Sequence, residues 1–311
     1  LFPVVGVAFV LLLLLAPIGF GSSEFEKTTE NFCHGPLFGF VAVVLLIWFG
    51  NFRWSSSVSR RYLSALLVAV LLGGLGELAQ SFTPSRDAEW IDVGNDLLGA
   101  IAGLGIYALY IKTHPWSAKV RAALYLVTFA AVVMLVLPLG ETGFTYWQRW
   151  RQLPELATWS SSLGHHFVKP DGSTLSVTRL RQCSGASNEL ALDIRPLFHG
   201  RWVGLAIEEP WPDWGDYSQL AVDVVNPNDA PLRLSIRVHD RLHNYQFDDR
   251  FNRGFEVAAR QRVTLSIPVA EIRAAPKSRQ LDLKHVAGII VFQDAELGAY
   301  PFYVCGVRLV R

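Results

Sequence analysis

The chain has 311 residues, a formal net charge of +1 and 18% charged residues, a balance that excludes the strongly basic footprint of a nucleic-acid binder. Its mean hydropathy of +0.27 averages two unlike halves. Residues 1–140 are apolar with few charges, whereas residues 150–311 mix apolar and charged side chains as a water-soluble protein does.

A bilayer core of about 30 Å takes about 20 apolar residues as helix. Five segments meet this requirement, near 2–20, 32–50, 62–80, 93–111 and 120–139. The first also resembles the apolar stretch of a signal peptide, but no small-residue cleavage site follows cleanly, and it is expected to be a retained span. Positive charge marks cytoplasmic loops. The 51–61 loop carries Arg53, Arg60 and Arg61, and the 112–121 loop carries Lys112, Lys119 and Arg121. The 21–31 and 81–92 loops are richer in acid. The alternation places the amino terminus inside and everything after residue 140 outside, in the setting of a bacterial cytoplasmic membrane.

Between the third and fourth spans the polar residues concentrate. Gly73, Gly76, Glu77 and Gln80 share one helix face, as do Asp92, Asn95, Asp96, Gly99 and Gly103. Intramembrane ionisable groups are expensive to desolvate and mark functional sites. The two faces are expected to meet, gathering Glu77, Gln80, Asp92 and Asn95 at the outer mouth of the bundle with Arg86 above them. Asp92 also suits the N-cap of a helix starting at Val93, and Arg86 suits a structural ion pair with Glu77 and Asp92. No nucleophile or metal box accompanies these groups, so the catalytic residues stay unknown and neither cofactor nor metal is expected.

The run E-x-x-Q-x-x-x-P-x-R followed by W-x-D-x-x-N-x-x-x-G-x-x-x-G is carried by Glu77, Gln80, Pro84, Arg86, Trp90, Asp92, Asn95, Gly99 and Gly103. It resembles the VanZ-like family of small polytopic membrane proteins, over roughly residues 25–112. Members also carry a D-K-x-x-H pattern opening the preceding span. Here Glu30-Asn31-Phe32-Cys33-His34 keeps the histidine and an acid but not the lysine. The resemblance adds His34 to the cluster and implies a role in envelope or exopolysaccharide biology, with no settled molecular activity.

Residues 141–164 read as an interfacial aromatic linker, with Tyr146, Trp147, Trp150 and Trp159 suited to the headgroup layer and a helix ending before Pro154. From about 165 the apolar period becomes two. The runs STLSVTRLR, ELALDIRP, VGLAIEEP, SQLAVDVVN, LRLSIRVHD, RVTLSIPV, AGIIVFQD and FYVCGVRLV read as strands between turn-rich segments. The expected fold is therefore a membrane all-α bundle followed by an all-β sandwich or jelly roll over 165–311. Cys183 and Cys305 lie in this outer domain, where a disulfide persists; a bridge and two buried thiols are both open.

The W-x-D-W-x-x-Y-x-x-L-x-x-D segment from Trp211 and the D-R-x-x-x-x-Y-x-x-x-x-R-F-N segment from Asp240 resemble the galactose-binding-like jelly rolls found among carbohydrate-binding modules. That resemblance implies a glycan ligand. Sugar rings need a flat aromatic face and a few fixed polar groups. Trp211, Trp214, Tyr217 and Tyr245 are the stacking candidates, and Asp240, His243, Asn244, Asp248, Arg250 and Asn252 the hydrogen-bonding ones. Trp214 equally suits core packing, and the 240–252 stretch equally suits a solvated loop. His239 and His243 form an H-x-x-x-H pair across a strand end and a turn, and their rings need not converge. Three functions follow: a membrane-anchored glycan binder with lipid and polysaccharide partners, a structural subunit of a larger membrane complex, or an enzyme on a lipid-linked glycan using Glu77 or Asp92 as base.

Overall fold

The computed structural model describes residues 23–52, 57–82, 90–110, 116–159, 167–183, 190–197, 201–210 and 213–311. The apolar segment 2–20, the loop residues Arg53, Pro84, Arg86 and Lys112, and Trp211 lie outside them. The chain divides into two compact units, Leu1–Phe144 and Thr145–Arg311.

The first unit contains helices α1 (Glu24–Phe49), α2 (Val58–Gln80), α3 (Trp90–Tyr110) and most of α4 (Ala118–Gln152). All four are long and apolar enough to cross a membrane. Ser23 starts α1 with a capping box: its hydroxyl accepts from the Glu26 amide while the Glu26 carboxylate accepts from the Ser23 amide. Two orphan donors of the first turn are thereby satisfied. Helix α3 begins at Trp90, so Asp92 sits inside its first turn rather than at its cap.

Glycine decides the helix packing. A Cβ on Gly99 would lie 2.0 Å from the Gly35 carbonyl oxygen, and one on Gly103 2.5 Å from that of Gly39. The Gly99–Gly103 stripe of α3 thus packs against α1, not against α2 as the helix-face pattern led us to expect. Small residues let two backbones approach where side chains would hold them apart. The contact between α2 and α3 is made instead by Gly73, whose Cα faces the Asp96 carboxylate. Helix α2 leaves Leu63, Leu67, Leu71, Leu75 and Leu78 exposed along one stripe.

Helix α4 continues without a break through residues expected as a separate linker helix, and its last turns from Thr145 belong to the second unit. The strands there are β1 (Glu155–Ala157), β2 (Val168–Asp171), β3 (Ser173–Arg179), β4 (Leu190–Pro196), β5 (Trp202–Glu208), β6 (Gln219–Val225), β7 (Leu232–Asp240), β8 (Phe251–Val257), β9 (Arg262–Pro268), β10 (Val286–Asp294) and β11 (Phe302–Val310). A short helix α5 (Val269–Ala274) follows β9. One sheet runs β3-β4-β11-β6-β9, the other β2-β5-β10-β7-β8, and every pairing is antiparallel. Strand β1 pairs with the part of β11 that β4 leaves uncovered.

The core lies between the sheets and includes Ile194, Leu205, Ile207, Val222, Leu234, Ile236, Val291 and Phe302. Trp159, expected at the headgroup layer, is buried in this core. Its neighbours Trp147 and Trp150 are exposed. Cys183 and Cys305 form a disulfide with Cα atoms 5.4 Å apart.

Candidate functional site

Alternation along the second sheet sends one set of side chains into the core and the other onto an outer face. The registers align two rows across that face. One reads Lys169, Ala206, Ile290, Arg237, Asn252, and the next Asp171, Gly204, Phe292, Ser235, Gly254. Phe292 therefore stands between glycine and serine on its immediate flanks, which leaves its ring accessible. Trp202 meets it edge-on with ring centroids 5.2 Å apart. The Arg201 guanidinium lies over the Trp202 ring at 4.8 Å from its centroid, and Arg201 is held by Asp294 at 3.3 Å. Beyond them a cavity of about 390 Å³ opens along Arg233, Ser235, Gly254, Glu256 and Asp294.

The other end of the face is rich in donors. Burial first, and the Arg250 charge next, lowers Arg237 to about 10, and burial lowers Arg250. Burial, with the Arg237 charge second, lowers His239 to about 4, so its imidazole is neutral at pH 7. Its ring lies over Gly288, where a Cβ would come within 2.5 Å of it. Arg237 Nε, Arg250 Nε and His239 Nδ1 are all buried without a hydrogen-bond partner among the described residues. Buried polar atoms are nearly always paired; three orphans on one face of a sheet mark a place where something else supplies the partners.

The residues expected from the sequence divide between this face and its support. Asn252 is on the face beside Arg237 and donates to the Phe247 carbonyl at 3.2 Å. Arg250 lies over the Phe247 ring at 5.6 Å. Tyr245 takes a left-handed φ of +66° and is 86% exposed, so the turn presents its ring to solvent. His243 is enclosed: the geometry gives it Nδ1 donating to the Asp249 carbonyl and Nε2 accepting from Arg237, both at 3.2 Å. Its ring centroid is 5.4 Å from that of His239, but with both nitrogens engaged it supports Arg237 rather than offering a ligand atom.

Asp240 is buried and receives Arg279 through two bonds of 2.5 and 2.8 Å and the Asp282 amide at 2.7 Å. The same Arg279 reaches Asp249 at 2.6 and 3.0 Å and holds its carboxyl well below the usual range. This knot fixes the 240–250 loop, so the role of Asp240 is structural. Asp248 pairs with Lys277 at the surface, at 3.5 Å. Trp214 is fully buried and its indole N–H donates to the Pro210 carbonyl at 3.0 Å, which makes it core packing instead of a sugar platform. Trp202, Phe292, Arg237 and Asp171 were not singled out in advance, although Arg237 stood on the wet side of LRLSIRVHD. Trp202 and Phe292 come from strands that only the fold makes neighbours.

At one end of the helical unit His34, Glu77, Gln80, Asp92 and Asp96 are all buried. His34 Nδ1 lies 3.1 Å from Asp96 Oδ1, and the Asn95 amide donates to the Asn31 carbonyl at 3.1 Å. Asp96, outside the expected cluster, is the most enclosed carboxylate, at 1% exposure. A separate apolar groove of about 520 Å³ runs between α1, α3 and α4, lined by Gly39, Phe40, Gly103, Tyr107 and Val136 among others.

No protein-family model matches the chain, and no curated protein does. Among solved structures, the β-sandwich is similar to carbohydrate-binding modules. A family 11 module from Clostridium thermocellum, in complex with a β-1,3-1,4-mixed-linked tetrasaccharide, is 16% identical with a TM-score of 0.36 over 47% of this chain and 89% of its own. A xylan-binding domain of family 22 is 15% identical with a TM-score of 0.32, over 50% and 91%. An exo-β-agarase is 14% identical with a TM-score of 0.37, over 46% of this chain and 23% of that enzyme.

Proposed function

We propose that this chain is an integral membrane protein of VanZ-like character that holds a glycan-binding sandwich on the outer side of a bacterial cytoplasmic membrane, in envelope or exopolysaccharide biology. The sugar chain lies along the outer face of the second sheet, over Trp202 and Phe292, with its polar groups toward Arg237, His239, Arg250 and Asn252. One observation carries this reading: the exposed Trp202 and the half-buried Phe292 beside it share a sheet face with three buried nitrogens that lack partners among the described residues. A pyranose offers an apolar C–H surface to the rings and hydroxyls to the nitrogens, which is the complement of that surface. Two neighbouring guanidiniums further favour a glycan bearing carboxylates, since arginine pairs with them through two parallel bonds. The exposed leucine stripe of α2 suits lipid, and the α1–α3–α4 groove takes a membrane lipid's acyl chain.

The experiment is binding of the full chain in detergent micelles to soluble polysaccharides, polygalacturonate against neutral xylan. The acidic polymer binds more tightly. Trp202→Ala weakens both by tenfold or more, equivalent to about 1.4 kcal/mol, while Arg250→Gln reduces the preference for the acidic one. Binding that is absent across the panel, or unchanged in Trp202→Ala, refutes the reading.

A further inference from the structure

His34 near the start of α1, Glu77 near the end of α2 and Asp92 in the first turn of α3 each contribute one nitrogen or oxygen to a set whose members lie within 4.8 Å of one another. All three side chains are buried. Metal–ligand bonds to histidine nitrogen and carboxylate oxygen are about 2.0–2.2 Å, so ligand atoms around one ion sit about 3–4 Å apart. Small side-chain rotations close the difference.

The orientation of His34 points the same way. Its Nδ1 is held by Asp96 Oδ1 at 3.1 Å, which leaves Nε2 as the ring's free coordinating atom. A carboxylate on the far nitrogen is the usual support of a metal-bound histidine, because it fixes the tautomer and turns the ring. Asp96 is itself anchored, with its second oxygen against Gly73, one helical turn from Glu77. That oxygen, Oδ2, is buried and without a hydrogen-bond partner among the described residues. The fold thus draws three carboxylates and one imidazole into a single enclosed corner of the helical unit.

We propose that this corner binds one divalent first-row metal ion, through His34 Nε2 and a carboxylate oxygen each from Glu77 and Asp92, with Asp96 as the positioning residue behind His34. One nitrogen and two carboxylate oxygens suit zinc or manganese and not a thiolate-preferring ion. The site was invisible as a spacing motif because its ligands come from three helices. Three protein ligands leave coordination positions open, so the ion can also take an exogenous oxygen ligand. This inference does not depend on glycan binding by the sandwich.

The test uses the full chain in detergent, stripped with chelator and then titrated with Zn²⁺, Mn²⁺ or Co²⁺. One equivalent of metal remains after desalting. His34→Ala and Glu77→Gln each lower affinity more than a hundredfold, and Asp96→Asn lowers it by about 10–100-fold, as loss of such a support does. Arg260→Gln, in a surface ion pair of the second unit, leaves metal affinity unchanged. His34→Cys keeps a ligand atom: it binds Co²⁺ and adds a thiolate-to-cobalt charge-transfer band, which a merely structural histidine would not produce. The proposal is overturned if the native chain retains no stoichiometric metal. It is overturned equally if His34→Ala and Glu77→Gln fold and bind as the native chain does, or if folded His34→Cys shows no such band.

Discussion

His239 couples the sheet face to pH. Burial first, and Arg237 next, bring its folded pKa from 6.5 to about 4, while the unfolded chain keeps the ordinary value. Between those limits unfolding takes up a proton, so stability rises with pH through this window. Acidification from pH 7 to 4.5 is therefore expected to lower the melting temperature of the sandwich. His239→Gln flattens that dependence, and equal slopes in the two proteins would dismiss the assignment. Asp249 acts in a separate window. Its folded pKa is depressed, chiefly by Arg279, so its contribution is complete above the unfolded carboxylate value of about 3.9 and is lost as pH falls below it. A second acid transition below pH 4 that disappears in Asp249→Asn is the expected signature.

The α1–α3 contact is the element whose geometry leaves least room. With a Gly99 Cβ placed 2.0 Å from a backbone oxygen, no side-chain rotation relieves a substitution, and the helices must separate. Overpacking of this kind costs about 1–3 kcal/mol. Gly99→Ala is expected to lower thermal stability in detergent by that order, whereas Gly76→Ala, whose Cβ meets nothing within 4 Å, is neutral or slightly stabilising. Equal melting of the two variants would contradict the packing. The same elements show what sequence can and cannot disclose. The eight runs all correspond to strands; in LRLSIRVHD one wet and one buried face imprint a period of two, whereas the run SQLAVDVVN is buried on both faces. The strands that escaped notice are β1, β2 and β8. The first has only three residues, the second contains Pro170, and the third is the polar edge segment FNRGFEV, where burial no longer enforces alternation. The polar residues of the helical unit were legible from helix faces. Their partners were not: the Gly99 stripe could meet either neighbouring helix, and Asp96 becomes the support of His34 only once α1 and α3 are docked.

For the whole chain the disulfide and the loop charges make one joint prediction. Cys183 and Cys305 are 122 residues apart, and closing so long a loop restricts the unfolded chain by about 5 kcal/mol in the chain-entropy picture. Such a bridge persists in an oxidising compartment and is rare in the cytosol. The proposed topology, with the arginine- and lysine-bearing loops inside, would put the second unit on the outer side as well. In a background with the exposed, free Cys33 changed to serine, a cysteine placed at Asp248 should react with a membrane-impermeant maleimide in spheroplasts. One placed at Lys119, at the start of α4, should react only after lysis. Cys183→Ser combined with Cys305→Ser should lower the stability of the sandwich without altering this pattern, since orientation is set by charge and not by the bridge. Labelling at Asp248 only after lysis would put the sandwich in the cytosol, where neither the disulfide nor an envelope glycan is to be expected.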